Sequence, residues 1–246
     1  MLCDSAWAPS GPVGGGGLVV GDPDTAGAAA DLVAARLEAL AVRHVFYPQA
    51  RYLGRRVDGS RAADGAGTPG QVRAELARAA AGAVLHAACH GVVAPGTGDE
   101  PTSYLMLAAG EAAGLRFTAE DLVATIGADS TPALGLAVLA ACSSGVPGRG
   151  YDEAFSTATA FLAAGTGSVV SALWSIPDSA TSVLMFMFHH FLRELPPAQA
   201  LRAAQLWMLR PDRELPARMP TALRDRLAVT DPRAAGSWAG FVHAGR

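Results

Sequence analysis

The sequence predicts an α/β fold, a mostly parallel sheet with helices on both faces. Three observations carry that expectation. Short runs that are apolar throughout alternate with longer segments of helical composition. Strands covered on both faces read this way, whereas a sheet with one wet face alternates apolar and polar residues. The chain has 246 residues, 50% hydrophobic and 17% charged, which suits one domain with a sizeable core. No internal repeat interrupts the alternation.

Residues 1–17 are rich in Gly, Pro and Ser and read as a flexible lead-in that ends in four consecutive glycines. A Gly-rich loop that cradles phosphate follows a strand and opens a helix; this one precedes a strand, so it reads as a linker. Leu18-Val19-Val20 starts the first strand, and Gly21-Asp22-Pro23 ends it. Residues 28–40 are helical by composition and period. His44-Val45-Phe46-Tyr47 reads as a second strand, and residues 49–70, a mixture of Arg, Gly, Asp and Ala, as a mobile solvated loop. A helix over 71–81 and a buried strand over 83–88 follow. Tyr104 to Leu107 and Leu115-Arg116-Phe117 flank Gly110 and Gly114 as a hairpin. Thr118 is placed to cap a short helix. Residues 134–141 form another buried strand, and residues 152–164 a helix closed by Gly165. A strand over 168–173, helices over 178–195 and 198–209, a short helix near Leu223 and a last strand over 238–243 complete the reading.

Composition excludes several chemistries. The chain contains no lysine; all 19 basic residues are arginine. That removes P-loop, Schiff-base and kinase-type lysines. It contains no asparagine either, so a Cys-His-Asn triad is impossible within it. The formal net charge of -3 favours neither nucleic acid nor an anionic membrane. The longest apolar runs are too short to span a bilayer, and the N-terminus lacks a signal-peptide pattern. Three cysteines, Cys3, Cys89 and Cys142, argue against a disulfide scaffold and for a reducing, cytoplasmic compartment.

Two segments carry the chemistry. Leu85-His86-Ala87-Ala88-Cys89-His90-Gly91 and Leu139-Ala140-Ala141-Cys142-Ser143-Ser144-Gly145 are apolar runs that each deliver a reactive side chain before small residues. His90 and Cys142 lie 52 residues apart, in the order and rough spacing of a caspase-type pair. In open parallel sheets the site lies beyond the carboxyl ends of the strands, where both residues are expected. An imidazole beside a thiol makes a thiolate nucleophile at neutral pH. Strand alternation turns Cys89 away from His90 and into the core. His86 reads as core or as a support for the sheet, and His189 and His190 as structural. The same alternation scatters His86, Cys89 and His90, so no metal site is expected. No cofactor motif appears.

At these residues the sequence resembles the CHAT family of caspase-like peptidases. The likeness includes Val19-Val20-Gly21-Asp22-Pro23, the block at 86–91, Ala141-Cys142-Ser143-Ser144-Gly145, Gly150-Tyr151-Asp152-Glu153-Ala154, Phe161 to Gly165, Ser168 to Trp174, residues 198–205 and Trp238 to Val242. These blocks span roughly residues 17–243, and the Cys-Ser-Ser-Gly stretch is also similar to separase. The resemblance implies a caspase-like three-layer sandwich over residues 18–246, with residues 1–17 a lead-in or the remnant of an upstream part. It maps the base onto His90 and the nucleophile onto Cys142. It implies an oxyanion hole from the backbone N–H groups of Gly91 and Cys142.

Asp152, Trp174 and Asp178 are candidates for the substrate pocket. A helix-terminal carboxylate is an equal reading of Asp152, and packing and capping explain Trp174 and Asp178 almost as well. Position 140 is Ala where some basic-specific relatives carry Asp. With no asparagine to orient the imidazole, a backbone carbonyl or a water must do so. The expected activity is cleavage of a specific protein substrate, in bacterial defence or stress signalling, under a repeat-containing partner, another regulator or a missing N-terminal region. A non-catalytic caspase-like module and a small-molecule cysteine hydrolase remain the alternatives.

Overall fold

The computed structural model describes residues 17–94, 102–110, 114–126, 134–141 and 156–246. In chain order the elements are β1 (Leu18–Gly21), α1 (Val33–Phe46), β2 (Arg51–Gly54), α2 (Pro69–Ala77), β3 (Val84–Ala88), β4 (His90–Ala94), β5 (Thr102–Gly110) and β6 (Gly114–Thr118). They continue with α3 (Ala119–Ile126), β7 (Leu136–Leu139), α4 (Thr157–Ala163), β8 (Ser168–Ala172), α5 (Asp178–Phe191), α6 (Pro197–Leu209), α7 (Thr221–Ala228), α8 (Ala235–Trp238) and β9 (Phe241–Gly245).

The main sheet has the order β2-β1-β3-β7-β8-β9. Its first five strands are parallel, and β9 closes the edge antiparallel to β8. A second, antiparallel sheet, β4-β5-β6, branches off where β3 ends. Alternation along each main strand feeds two cores. Val19, Val138 and Val170 face α1, α5 and α6. Leu85, Leu139 and Val169 face α2, α3 and α4. This is the expected three-layer α/β architecture, and it explains why the inner strands are largely apolar on both faces. Helix α5 is apolar nearly all round because α1, α6 and α7 cover it together with the sheet; Val183 to Phe188 are all buried.

Several local signals act as expected. Thr118 Oγ1 accepts the Asp121 N–H while the Asp121 carboxylate accepts the Thr118 N–H, so α3 is capped from both sides. Ser156 caps α4, and Gly165, at φ +89°, closes it. The part of the expected 152–164 helix before Ser156 and the lead-in before Gly17 lie outside the described residues.

The region around 44–54 differs from expectation. His44 to Phe46 end α1, and Tyr47 is its C-terminal cap. The apolar residues there follow Ala39 and Val42 at helical spacing, and Phe46 packs on Phe186 with ring centroids 5.1 Å apart. The second strand is instead Arg51-Tyr52-Leu53-Gly54, inside the segment expected to be a mobile loop. It is a short edge strand with a charge at its start, a common way to blunt an edge. The following loop folds back onto it through Asp64, which accepts the Tyr52 N–H, and through Gly54–Gly65 and Ala62–Gly54 backbone bonds. Gly54 sits at φ +121°, and a β-carbon there would overlap the Gly21 carbonyl. Strand β4 and helix α8 have no counterpart in the sequence reading. Among the described residues, no helix is long and apolar enough to cross a membrane.

Candidate active site at the strand ends

His90 stands two residues beyond the end of β3, where the chain leaves the main sheet to open β4. The alternation of β3 buries His86 on the α1 face and Cys89 on the α2 face. His90 itself is partly exposed. Its Nε2 lies 2.7 Å from the Ala30 carbonyl oxygen. A carbonyl oxygen only accepts, so Nε2 carries the proton of this bond and Nδ1 of the neutral ring is left as the basic nitrogen. The carbonyl that meets His90 belongs to the segment between β1 and α1.

A cavity of about 330 Å³ opens beside His90 at the carboxyl ends of β3, β7 and β8. Its walls are mostly apolar: Leu32, Ala140, Ala141, Ala172, Ile176 and Phe241. Ala141 is buried and immediately precedes Cys142 in the chain. Cys142 and Asp152 lie outside the described residues.

Asp178 forms part of the cavity wall, at the first position of α5. Its Oδ2 accepts the Ala34 N–H at 2.9 Å. Leu32, the N-terminal cap of α1, offers no capping side chain, so Asp178 caps α1 from 144 residues away. Burial holds the Asp178 carboxyl above the usual carboxylate range, against the opposing pull of that N–H. Gly91 is the second residue of β4, opposite Leu105. Trp174 is exposed and lies over Gly240, outside the lining of the cavity.

The sequence reading missed the Ala30 carbonyl, Leu32, Ile176 and Phe241. Backbone atoms and apolar residues have no chemical signature, and only the fold brings these together. It also missed the charges that hold the loop before α1, although Asp22 fell within a block it had singled out. A larger cavity of about 590 Å³ lies beside β2 between Arg43, His44, Tyr52 and Arg56, away from the strand ends that carry His90. Among the described residues no three His, Cys, Asp or Glu side chains converge to hold a metal ion.

No curated protein matches the chain. Among solved structures, the chain is similar to a complex of Porphyromonas gingivalis RgpB pro- and mature domains, at 12% identity and a TM-score of 0.42. That alignment covers 76% of this chain and 41% of the other, so the chain spans about two fifths of that protein's length. A family model described as CHAT domain matches residues 2–246. With its largely parallel, helix-covered sheet and a histidine at the strand ends, the chain belongs to the CHAT-domain family.

Proposed function

We propose that this protein is a cysteine endopeptidase with His90 as general base and Cys142 as nucleophile. The observation that carries the reading is the His90–Ala30 bond beside a cavity bounded by the residues that lead into Cys142. His90 Nδ1 takes the thiol proton, and Cys142 Sγ attacks the scissile carbonyl carbon. The N–H groups of Gly91 and Cys142 stabilise the oxyanion. Collapse breaks the C–N bond, and the amine leaves with the proton held by His90. Water, deprotonated by His90, then hydrolyses the thioester and restores the thiol.

The apolar walls favour an uncharged side chain on the residue before the cut, because a charged one would be desolvated there with little compensation. The Asp178 carboxylate is committed to the α1 N-terminus. Asp152 and Trp174 are proposed to contact neighbouring substrate residues. By analogy with the family, the substrate is one specific protein, cleaved in the cytoplasm in bacterial defence or stress signalling. A regulatory or repeat-containing partner, or a segment N-terminal to this chain, would control the cut. The reading requires no cofactor, no nucleic acid and no membrane contact.

The test is labelling by a peptide-like thiol electrophile, read by intact mass. A single adduct is expected on the wild type, absent from Cys142→Ala and greatly slowed in His90→Ala. Labelling indifferent to His90, or equal labelling at Cys3 and Cys89, would overturn the dyad.

A further inference from the structure

The carbonyl that holds His90 belongs to an irregular segment, residues 22–32, between β1 and α1. Four charged side chains close a ring around that segment. Asp22, at the end of β1, accepts from Arg36 Nε at 2.5 Å and from Arg55 Nη2 at 2.9 Å. Asp31, next to Ala30 in the chain, accepts from Arg36 Nη2 at 2.5 Å and from Arg55 Nη1 at 2.8 Å. Arg55 also donates Nε to the Asp22 carbonyl at 2.9 Å. The ring is neutral, two carboxylates against two guanidinium groups. Asp22, Arg36 and Arg55 are nearly enclosed, with side chains 2%, 6% and 11% exposed, whereas Asp31 is 56% exposed.

The ring ties four separate pieces of chain to one point: the end of β1, the residue after β2, the first turn of α1 and the loop itself. Two planar guanidinium groups bridging two carboxylates fix direction as well as distance. The Asp22 N–H bonds the Ala88 carbonyl at 2.8 Å, so the ring is also registered to the end of β3, two residues before His90. Asp31 lies between Ala30 and the start of α1. Its outer position makes it a weak contributor to stability, because a half-exposed pair is worth little. Its place in the chain puts it next to Ala30, whose oxygen meets His90.

We propose that the Asp22–Arg36–Asp31–Arg55 ring is a positioning device that sets the Ala30 carbonyl, and through it the tautomer and direction of the His90 imidazole. The four residues touch neither substrate nor the reacting atoms. The proposal rests on the reading of His90 as the general base, and it names what pre-organises that base.

The experiment uses the whole chain and two readouts. Imidazole ¹⁵N–¹H correlation spectra, with His90 assigned from His90→Gln, report which ring nitrogen bears the proton. The rate of Cys142 alkylation by a peptide-like electrophile reports competence. In the wild type His90 is expected as a single Nε2–H tautomer. In Asp31→Asn and Asp31→Ala it becomes a mixture, and alkylation slows on the order of tenfold, while the thermal midpoint stays close to wild type. Arg55→Lys, which keeps the charge but loses the fork, is expected to have the same effect on the tautomer. Asp58→Ala, on an exposed loop where the carboxylate bonds Ser60, serves as the unaffected control. An unchanged His90 tautomer in both Asp31 variants overturns the proposal. A tautomer shift in a protein that never alkylates at Cys142 upholds the ring and rejects the peptidase reading instead.

Discussion

His86 and His90 stand four residues apart in one segment, yet the fold gives them opposite environments. His90 lies past the strand end, partly exposed, with Nε2 on a carbonyl and the residue lining a cavity. His86 is fully buried in the α1-facing core. Its Nε2 is 2.9 Å from Glu38 Oε1, and its Nδ1 is 3.1 Å from His189 Nε2, whose own Nδ1 is 3.0 Å from the Tyr47 hydroxyl. The Glu38 approach is off-axis: neither carboxylate oxygen meets an aligned donor. Burial pushes the Glu38 carboxyl up, and the adjacent His86 pulls it back only in part. The same side chain is thus a candidate base where the sheet ends and a structural filler where the sheet is covered. What separates them is not residue type but the point at which backbone pairing to the parallel sheet stops.

The sharpest way to break this comparison is to remove each ring in turn. His90→Ala is expected to slow Cys142 alkylation by about 10²-fold or more, the range of a lost general base, with little change in unfolding midpoint. His86→Ala is expected to do the reverse. It leaves the buried Glu38 carboxyl without its nearest polar neighbour and opens a cavity, which costs about 3 kcal/mol. Urea titration read by circular dichroism checks the second, and intact-mass labelling the first. Equal losses of stability in the two variants would erase the distinction.

The two histidines also mark how far the sequence alone could be read. The fold class was legible because β1, β3, β7 and β8 are largely apolar on both faces and alternate with helical segments, as covered parallel strands do. The strand-end position of His90 followed from the same pattern. Strand β2 was not legible: Arg51 and Gly54 look like loop, and pairing with β1, a tertiary interaction, makes them strand. The carboxyl end of α1 was misread because four apolar and aromatic residues in a row satisfy either period. The orienter of His90 was expected only as some carbonyl or water. Which carbonyl serves depends on an ionic ring whose members are spread over residues 22–55, and their pairing follows from the fold rather than from any spacing in the sequence.

A smaller effect separates capping from substrate binding at Asp178. Its carboxylate supplies the cap that α1 lacks. Asp178→Ala is therefore expected to cost about 1 kcal/mol of stability. Because α1 begins directly after the loop that carries Ala30, alkylation should also slow. Asp178→Ser, which keeps a capping oxygen without the charge, should recover most of both losses. If Asp178 instead selected a basic side chain before the cut, Asp178→Ser would fail to recover cleavage of basic substrates although stability returned. Thermal melts and a library of peptide electrophiles varied at that position distinguish the two roles.

The smallest predicted effect lies wholly on the buried side of the comparison. Burial, reinforced by the nearby His86, holds the His189 imidazole well below its ordinary value of 6.5. The folded state therefore keeps His189 neutral while the unfolded chain takes up a proton as pH falls below 6.5. A base with a depressed folded pKa favours the unfolded state on acidification, so this group's contribution is full above 6.5 and lost as pH drops. With His189 still neutral in the fold, the loss between pH 7 and pH 6 is about 0.7 kcal/mol. His189→Gln keeps a side chain able to bond both the Tyr47 hydroxyl and His86 but removes the titration. Its stability should fall less steeply than that of the wild type over this interval, by that amount, whatever its absolute stability. Parallel slopes for the two proteins would mean that His189 takes up no extra proton on unfolding, so the folded core would not be what keeps its imidazole neutral.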